Sequence, residues 1–277
     1  MKAILIAEDD RVTRHLLQET LKTAGYAVTA VADGAAVLKA LKKKKYDLLL
    51  LDIWMPRVNG LQLLARLRKE PKRPRVVVMT SDDTPETLLS AVREQAYQFL
   101  KKPVDPKTVV SQVKAVLAAH PVARPIEVVS AKPDWVELRV PCDLEAAERI
   151  QSFMNQLKAD LPEEVRESVG QAFRELLTNA IEWGGKLDPN QTVRVSFLRA
   201  RRMLLYRISD PGPGFRFEGL THSAITNPDD EPYAHDRVRE EKGLRPGGFG
   251  ILLTRAKVDE LIYNEAQNEV VFVKYLS

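Results

Sequence analysis

Carboxylates occur where several strand-like segments in the N-terminal part of the chain end. Glu8 and Asp9 follow the first apolar run, and Asp52 follows the third. In an open parallel sheet the carboxyl ends of the strands lie at one edge, so these acids are expected to converge there. Three carboxylates repel one another unless a cation lies among them, and Mg²⁺ is a hard cation that prefers oxygen ligands. The spacing therefore predicts a Mg²⁺ site around Asp52.

Two further polar residues lie at the ends of the fourth and fifth strand-like segments, Thr80 and Lys102. A hydroxyl and an ammonium group at the same sheet edge are suited to bind a charged group added to the central acid, Asp52. One acid after a strand is common in loops. Five polar residues at the matching strand ends indicate a site.

A second candidate site lies in the C-terminal half, on a segment with helical periodicity. Glu175 and Asn179 are four residues apart, so they lie on one polar stripe of that helix. For an isolated pair, a solvated helix face is the simpler interpretation. Asparagine is a poor helix former, however, and needs a reason to stand in mid-helix. A Mg²⁺-bound nucleotide provides one, with Asn179 as an oxygen ligand and Glu175 as a base.

Two glycine-rich stretches follow that helix. In "ISDPGPGF", Asp210 precedes Gly212 and Gly214; taken alone this run is a tight turn, because proline fixes φ and glycine permits positive φ. In "RPGGFGILLTRAKVDEL", three glycines stand where a helix begins, Gly247, Gly248 and Gly250. Glycines there let backbone N–H groups approach a phosphate, and the helix dipole favours the negative charge. A flexible loop with a capped helix is the alternative for this stretch alone.

The elements that position the first site alternate between strand and helix from residue 1 to about 118. The strand-length runs are Ala3–Ala7, Ala27–Val31, Leu48–Leu51, Val76–Met79 and Gln98–Leu100. The amphipathic segments between and after them are Val12–Thr23, Ala35–Lys42, Leu61–Lys69, Thr84–Glu94 and Pro106–Ala119. Runs that are apolar on both faces and separated by helices indicate a parallel sheet covered on both sides. We therefore predict a doubly wound, five-stranded parallel sheet.

The rhythm changes after a proline-bearing stretch over residues 121–134, which is typical of a linker. Beyond it we predict helices at about 143–159 and 163–183, antiparallel strands at Thr192–Arg199 and Met203–Ser209, a helix at Gly250–Val258 and two closing strands. The predicted organisation is a domain over 1–120, a linker over 121–134 and a second domain over 135–277.

The stretches "ILIAEDD", "LLLLDIWMPRVNG", "VVVMTSDD" and "FLKKP" resemble the response-regulator receiver domain over residues 1 to about 118. The resemblance implies a flavodoxin-like fold, an upstream histidine kinase as partner and Asp52 as the phosphoacceptor. It also implies that Glu8, Asp9 and Asp52 hold Mg²⁺ together with the backbone carbonyl of Trp54. The switch residues that it implies are Thr80, Phe99 and Lys102. The bond between Lys102 and Pro103 is expected to be cis.

The second set of motifs, in its order along the chain, resembles the ATPase fold shared by gyrase, the Hsp90 chaperone, histidine kinases and MutL-type repair proteins. That fold is a two-layer α/β sandwich with a mixed sheet. The resemblance implies that Asp210 accepts a hydrogen bond from the adenine amino group and that Gly212 and Gly214 form the hinge of a lid. It implies ATP and Mg²⁺ as cofactors, with Asn179 as the metal ligand and Glu175 as the catalytic base. The residues 247, 248 and 250 would bind phosphate.

Within that superfamily, residues from about Trp135 to Ser277 resemble the anti-sigma-factor serine kinases, including the opening "VELRVPCDLEAAERIQSFMNQL". The chain departs from them at Trp183, where relatives often carry histidine, and in a long acidic lid over 218–241. The resemblance implies a regulator of transcription, phosphorylated on Asp52, whose output domain phosphorylates a serine or threonine of an anti-anti-sigma-type partner or sequesters a sigma factor. It leaves room for a homodimer.

Two alternatives to this function stay open at this point. One is a module that binds ATP or a partner without turnover. The other is a soluble histidine kinase, which needs a phosphoacceptor histidine on a dimerising helical hairpin. The four histidines lie in a receiver helix, the linker and the lid, namely His15, His120, His222 and His235.

Composition narrows the class of protein. Of the 277 residues 44% are hydrophobic and 29% are charged, as in soluble globular proteins. No apolar run approaches the roughly 20 residues of a membrane span. A single cysteine, Cys142, cannot form an internal disulfide or a metal cluster, and the short apolar start runs straight into acids, so we expect a cytoplasmic protein.

Charge is distributed unevenly along the chain. Residues 1–120 hold 21 Lys and Arg against 13 Asp and Glu, whereas the remainder holds 21 against 25. A basic half can indicate nucleic-acid binding. The densest basic run, Lys42–Lys45, lies at a predicted helix end, and no helix-turn-helix, zinc or RNA-binding pattern accompanies it. Direct nucleic-acid binding is therefore not expected.

Overall fold

The computed structural model forms two compact units, Met1–Pro121 and Val122–Ser277. It describes residues 1–70, 72–82, 84–119, 124–132, 134–158, 160–216, 219–220, 223–228, 231–241 and 248–276. Among these residues, no helix combines the length and the apolar character needed to cross a bilayer.

The first unit is a five-stranded parallel sheet with the strand order β2-β1-β3-β4-β5. Its strands are β1 (Ala3–Ala7), β2 (Ala27–Val31), β3 (Leu48–Asp52), β4 (Arg75–Thr80) and β5 (Gln98–Lys101). Its helices are α1 (Arg11–Thr23), α2 (Gly34–Lys43), α3 (Gly60–Leu67), α4 (Pro85–Arg93) and α5 (Pro106–Ala118). The predicted doubly wound parallel fold is confirmed.

Local sequence explains where these elements begin and end. Every residue of β3 is buried, as expected for a strand covered on both faces. The helices that follow β1, β2, β3 and β5 each begin at an acidic or amide side chain that accepts a hydrogen bond from a backbone N–H in the first turn. These caps are Asp10, Asp33, Asn59 and Asp105. The strand ends and the loops beside them are thereby held in place.

The second unit is a six-stranded sheet with the order β10-β11-β9-β8-β7-β6. Its strands are β6 (Glu127–Lys132), β7 (Trp135–Pro141), β8 (Thr192–Ala200), β9 (Met203–Ser209), β10 (Glu260–Tyr263) and β11 (Glu269–Tyr275). Its helices are α6 (Leu144–Gln156), α7 (Glu163–Asn179), a π-helical turn (Ala180–Gly184), a 3₁₀ turn (Ala224–Thr226), α8 (Ala234–Glu241) and α9 (Gly250–Lys257). Helices and sheet form the predicted α/β sandwich.

All pairings in this sheet are antiparallel, so the expectation of a mixed sheet is wrong. The reason lies in the crossover between β7 and β8. It contains two successive helices, α6 and α7, and the second reverses the direction of the first. The chain therefore re-enters the sheet from the end at which β7 finished, and β8 runs antiparallel to β7.

The predicted linker over 121–134 is also corrected in part, because Glu127–Lys132 forms the edge strand β6. This strand shows no long apolar run, and its residues are exposed or only partly buried. Pro125 precedes the strand, at a place where no N–H is required for the ladder. The strand's apolar stretch is only Val128 and Val129, which is too short to indicate a strand by itself.

Aromatic contacts join the helical layer of the second unit to the sheet. Phe173 on α7 lies 5.5 Å, between ring centroids, from the fully buried Tyr206 on β9. Tyr206 in turn stacks on Phe272 of β11 at 4.7 Å. Such pairs contribute about 0.5–1.5 kcal/mol beyond the area they bury. They hold α7, which carries Glu175 and Asn179, in a fixed position over the sheet.

Candidate functional site

The carboxylates of Glu8, Asp9 and Asp52 converge at the carboxyl end of the parallel sheet. One oxygen of each lies within 4.8 Å of the others. The ammonium Nζ of Lys102 lies 2.8 Å from Glu8 Oε1 and 2.8 Å from Asp52 Oδ2. Three negative groups beside one positive group leave a formal charge of −2, which one divalent cation would balance. The residues present therefore fit Mg²⁺, which favours carboxylate oxygens.

Burial and charge act in opposite directions on the groups of this cluster. Burial raises the pKa of Glu8, and the hydrogen bond from Lys102 opposes that rise only in part. For Lys102, burial lowers the pKa, but the hydrogen bonds to Asp52 and Glu8 outweigh it, and the net pKa is raised. Lys102 is therefore held as a cation between two acids.

The backbone around Asp52 is fitted closely to this cluster. The N–H of Trp54 donates to Asp52 Oδ1 at 3.1 Å, which keeps the Trp54 backbone beside the acids. At Gly60, a Cβ would lie 2.4 Å from the Asp52 carbonyl oxygen, so only glycine fits there. The Trp54 side chain is half exposed.

Of the three predicted switch residues, Lys102 is the one with a described contact to the acids. Thr80 is buried, and its Oγ1 donates to the carbonyl of Asp82 and accepts from the Asp82 N–H, both at 3.0 Å. Phe99 is buried on β5, opposite Val78 of β4. The bond between Lys102 and Pro103 is cis, which confirms that expectation.

A cavity of about 580 Å³ opens in the second unit between α7, the end of β9 and the start of α9. Its apolar wall is formed by Leu176, Ala180, Ile208, Ile251 and Val270. Phe215 and Tyr263 also line it and meet edge to face, with ring centroids 5.7 Å apart. The predicted residues that line it are Glu175, Asn179, Asp210, Gly214, Gly248 and Gly250. An apolar cleft of this size with a few converging polar groups is typical of a small-molecule site.

Glu175 and Asn179 face this cavity from α7, on the polar stripe that their spacing predicted. Among the described residues, neither side chain has a hydrogen-bond or ion-pair partner. The Glu175 carboxylate points to the start of α9, because a Cβ on Gly250 would lie 2.6 Å from Glu175 Oε2. Glycine at this position lets the backbone of the helix entry approach the carboxylate.

Asp210 is held at the end of β9 by contacts on several sides. Its Oδ1 accepts from the Gly212 N–H at 2.8 Å, and its own N–H donates to the Asn268 carbonyl at 2.9 Å. A Cβ on Gly184 would lie 2.2 Å from Asp210 Cγ, so the π-helical turn touches the carboxyl group. Burial raises the pKa of Asp210, and the bond from Gly212 opposes the rise only in part.

The glycines of the two loops differ in the backbone conformation and in the space around the Cα that make glycine necessary. Gly214 has φ +86°, and a Cβ there would lie 1.6 Å from the Ala266 carbonyl oxygen. Gly248 has φ +103°, another value that favours glycine. Gly212 is held beside Asp210 and Asn268, whose Nδ2 donates to the Gly212 carbonyl at 3.0 Å. Gly247 lies outside the described residues.

Comparison with known families assigns each half of the chain. Residues 4–114 match the response regulator receiver domain, and residues 140–274 match the histidine kinase-like ATPase domain. The chain is a receiver domain fused to a histidine kinase-like ATPase domain. The receiver accounts for the acid cluster and the ATPase domain for the cavity.

Individual proteins similar to this chain are regulators. The transcriptional regulatory protein CseB of Streptomyces avermitilis is 35% identical over 136 residues, a match that covers 47% of this chain and 57% of CseB. The alkaline phosphatase synthesis regulator PhoP of Bacillus subtilis is 30% identical over 124 residues, covering 45% and 52%. This chain thus spans little more than half the length of these curated relatives.

Solved structures similar to this chain include response regulators. The chemotaxis regulator CheY4 of Vibrio cholerae is 26% identical, with a TM-score of 0.40 and coverage of 42% of this chain and 98% of CheY4. TrrA of Thermotoga maritima, solved in complex with Mg(2+)-BeF, is 30% identical, with a TM-score of 0.39 and coverage of 42% and 99%.

The π-helical turn at the end of α7 is a feature of the ATPase domain that sequence analysis missed. It directs Glu182 and Trp183 to the cavity and brings Gly184 against Asp210. The turn is widened by one residue relative to an α-helix, and such turns are often found at functional sites. The sequence signal for this turn was the pair Gly184-Gly185. Both positions require glycine, since a Cβ on Gly184 would overlap Asp210 and a Cβ on Gly185 would lie 2.1 Å from Cys142 Sγ.

The α8 side of the cavity carries a cation that sequence analysis also missed. Arg239, on α8, lines the cavity and is only 7% exposed. Ser223 Oγ and the Ala224 N–H both donate to the Gly248 carbonyl, at 3.1 and 3.0 Å. These bonds join the start of the 3₁₀ turn to the glycine-rich loop. Sequence analysis predicts only an acidic lid over 218–241, and the structure adds the helix α8 within that region.

Proposed function

We propose that this chain is a phosphorylation-controlled protein kinase, in which the receiver accepts a phosphoryl group on Asp52 and the ATPase domain transfers the γ-phosphoryl group of ATP to a serine or threonine. The observation that carries this proposal is the Glu175 carboxylate. It has no partner among the described residues, lies beside Asn179 and points at the glycine entry of α9. This arrangement puts a base next to a backbone suited to bind phosphate.

In the receiver, Glu8, Asp9, Asp52 and the Trp54 carbonyl would hold Mg²⁺. The bound ion supplies positive charge that offsets the phosphoryl oxygens. Lys102 already contacts Asp52 and remains positioned to pair with an added phosphoryl group. Phosphorylation of Asp52 would rearrange Thr80 and Phe99, since Thr80 must break its hydrogen bond to Asp82 to reach the phosphoryl oxygens.

In the ATPase domain, Asp210 would accept from the adenine amino group, and Gly212 and Gly214 would form the lid hinge. Asn179 would hold the nucleotide-bound Mg²⁺, and the backbone of Gly248 and Gly250 would bind phosphate, with Gly247 as a further candidate. Arg239 and Lys186 line the cavity beside the carboxylates of Glu175, Glu182, Asp210 and Glu269, and Mg²⁺ bound with the nucleotide would offset this excess of negative charge.

The chemical step balances without a further reactant. Glu175 takes the proton of the acceptor hydroxyl, whose oxygen forms a bond to the γ-phosphorus. The bond from that phosphorus to the β–γ bridging oxygen breaks, and ADP leaves. Preorganised charge contributes most of the rate enhancement in such transfers.

The acceptor in this proposal is an anti-anti-sigma-type protein, with sequestration of a sigma factor as a related output. The support is the sequence resemblance over Trp135 to Ser277. A histidine kinase needs an accessible histidine on a dimerising helical hairpin. Among the described residues, His15 lies in receiver helix α1, and His235 is fully buried against Asn227 and Phe249, so neither meets this need. Incubation with γ-labelled ATP and candidate partners tests the proposal: label on a partner serine supports it, and label on a histidine of this chain contradicts it.

Two variants of the nucleotide site should fail in different ways. We expect Asp210→Asn to weaken ATP and ADP binding with or without Mg²⁺, because it replaces a charged acceptor by an amide of similar size. We expect Asn179→Ala to weaken only the binding of Mg²⁺-nucleotide, because it removes a metal ligand. The loss of one charge-assisted hydrogen bond corresponds to about tenfold in affinity. Calorimetric titration measures all four conditions, and parent-like binding by both variants would show that the site lies elsewhere.

A neighbouring pair of acids gives a matched test of the receiver site. We expect Asp9→Asn to reduce Mg²⁺-dependent labelling of Asp52 by acetyl phosphate by about tenfold or more, since it removes one of three converging carboxylates. Asp10→Asn is the control, because Asp10 instead caps α1 through the Thr13 N–H. Equal loss in both variants would mean that helix α1, and not the metal site, had been disturbed.

A further inference from the structure

A second depression in the ATPase domain lies between α6 and α7 and has no role in nucleotide binding as proposed above. We call it the α6–α7 groove; its volume is about 530 Å³. Its lining is entirely polar or glycine: Gln151, Asn155, Glu163, Arg166, Glu167, Gly170, Gln171, Arg174 and Glu175. A Cβ on Gly170 would lie 3.2 Å from Asn155 Oδ1, so the glycine lets the two helices approach at the floor. A polar groove of this kind suits a hydrogen-bonding chain.

Glu175 lines both the α6–α7 groove and the nucleotide cavity. Its carboxylate has no partner among the described residues, so it can accept a proton from a group on the groove side. The glycine entry of α9 lies on the cavity side of the same carboxylate. One base thus connects the two depressions at the place where an acceptor hydroxyl and a γ-phosphate must meet.

The other end of the groove carries a cation, Arg166, with one buried donor that lacks a partner. Arg166 Nε is buried without a hydrogen-bond partner, and Arg166 forms no ion pair with any residue that the structure describes. Beside it the buried Lys158 has its Nζ 3.4 Å from Asn155 Oδ1, a weak contact. Burial, with the nearby charge of Arg166, lowers the pKa of Lys158 to about 8. Arg166 lines the groove and Lys158 does not, so a carboxylate that enters the groove meets the Arg166 guanidinium.

Helix geometry sets the spacing between these two ends. Arg166 and Glu175 are nine residues apart on α7, which corresponds to about 14 Å along the axis and about two and a half turns, so their side chains lie at opposite edges of the groove. An extended peptide needs at least about four residues to cover that distance. Glu163 and Glu167 flank Arg166 in the groove and disfavour a polyanion such as a nucleic acid, whereas one carboxylate can still reach the arginine.

We propose that the α6–α7 groove binds an extended segment of the protein substrate, with an acidic side chain at Arg166 and the acceptor serine or threonine at Glu175. The inference rests on the proposed kinase function and adds its recognition rule: an acid four or five residues from the acceptor, on one side. The amides of Gln151, Asn155 and Gln171 hydrogen-bond the peptide backbone between the two anchors. The transfer itself is the balanced step given above.

A positional peptide library tests this rule with the full chain. Each peptide carries one serine, no threonine or tyrosine, and one fixed residue between five positions before and five after the serine. Label from γ-labelled ATP is measured for the parent, Arg166→Gln and Arg166→Glu. Arg194→Gln is the matched control, since Arg194 is exposed on β8 and lines neither depression.

We expect the parent to favour an acid at the predicted distance by about tenfold, the magnitude of one charge-assisted hydrogen bond. Arg166→Gln should lose this preference and Arg166→Glu should reverse it toward lysine, while Arg194→Gln keeps it. Labelling without an acidic preference, or a preference unchanged in Arg166→Gln, overturns the proposal.

If no peptide is labelled, a peptide-binding experiment tests the groove independently of phosphoryl transfer. Fluorescent peptides with and without the acid are titrated into Glu175→Gln with Mg²⁺-ATP, where transfer is blocked but the groove remains. Tighter binding of the acidic peptide, lost in the Glu175→Gln/Arg166→Gln double variant, supports the groove; equal binding overturns it. ATP titration of the same samples reports on the proposed nucleotide site separately.

Discussion

The Glu175→Gln variant is expected to bind Mg²⁺-ATP within about twofold of the parent and to lose phosphoryl transfer by about 100- to 10,000-fold, the usual contribution of a general base. Glutamine keeps the size of the side chain and the contact with Gly250, but it cannot take a proton from the acceptor hydroxyl. The binding contacts assigned to Asp210, Asn179 and the glycine loop are unaffected. Transfer to a partner protein, measured with γ-labelled ATP beside a calorimetric titration, gives both quantities.

The control for this variant comes from the same helix. Glu164→Gln removes an exposed carboxylate from the first turn of α7, outside both depressions. It should leave transfer and ATP binding unchanged. Full activity in Glu175→Gln would exclude this residue as the base. Loss of ATP binding instead would show that Glu175 supports the nucleotide site and not the proton transfer.

Gly214→Ala is expected to lower the free energy of unfolding of the ATPase domain by about 1–3 kcal/mol and to weaken ATP binding. The φ of +86° is unfavourable for alanine, and its Cβ would overlap the Ala266 carbonyl oxygen at 1.6 Å. Backbone on both sides must then move. Because Gly214 follows Asp210 by four residues and lines the cavity, the movement reaches the proposed adenine site. Denaturant unfolding and ATP titration measure the two effects.

Gly219→Ala is the matched substitution for Gly214→Ala. Among the described residues, no atom lies within 4 Å of the Cβ that it would add, and its φ lies outside the left-handed region. We expect little change in unfolding or in ATP affinity. If the two variants behave alike, the loop around Gly214 can accommodate a side chain, and the proposal that Gly214 is a hinge residue is contradicted.

The receiver fold and its acid cluster could be predicted from sequence almost completely. Strands covered on both faces, such as Leu48–Asp52, show as continuous apolar runs, and the polar residue that ends each run shows where the sheet edge lies. Parallel topology then brings Glu8, Asp9 and Asp52 together without further information. The helix spacing of Glu175 and Asn179 likewise predicted a shared polar stripe, and both residues line one cavity.

What the sequence determined by itself were features with a local period: strand runs, helix stripes, caps and glycine-rich turns. The tertiary structure alone decided which distant elements meet. The edge strand β6 has only a short apolar stretch and is stabilised by pairing with β7. The role of the π-helical turn becomes visible only in the structure, where its Gly184 contacts Asp210. Arg239 reaches the cavity from a helix far along the chain, and Glu175 serves two depressions because α6, α7 and α9 pack around it. Such contacts depend on the packing of side chains remote in sequence, which no local pattern records.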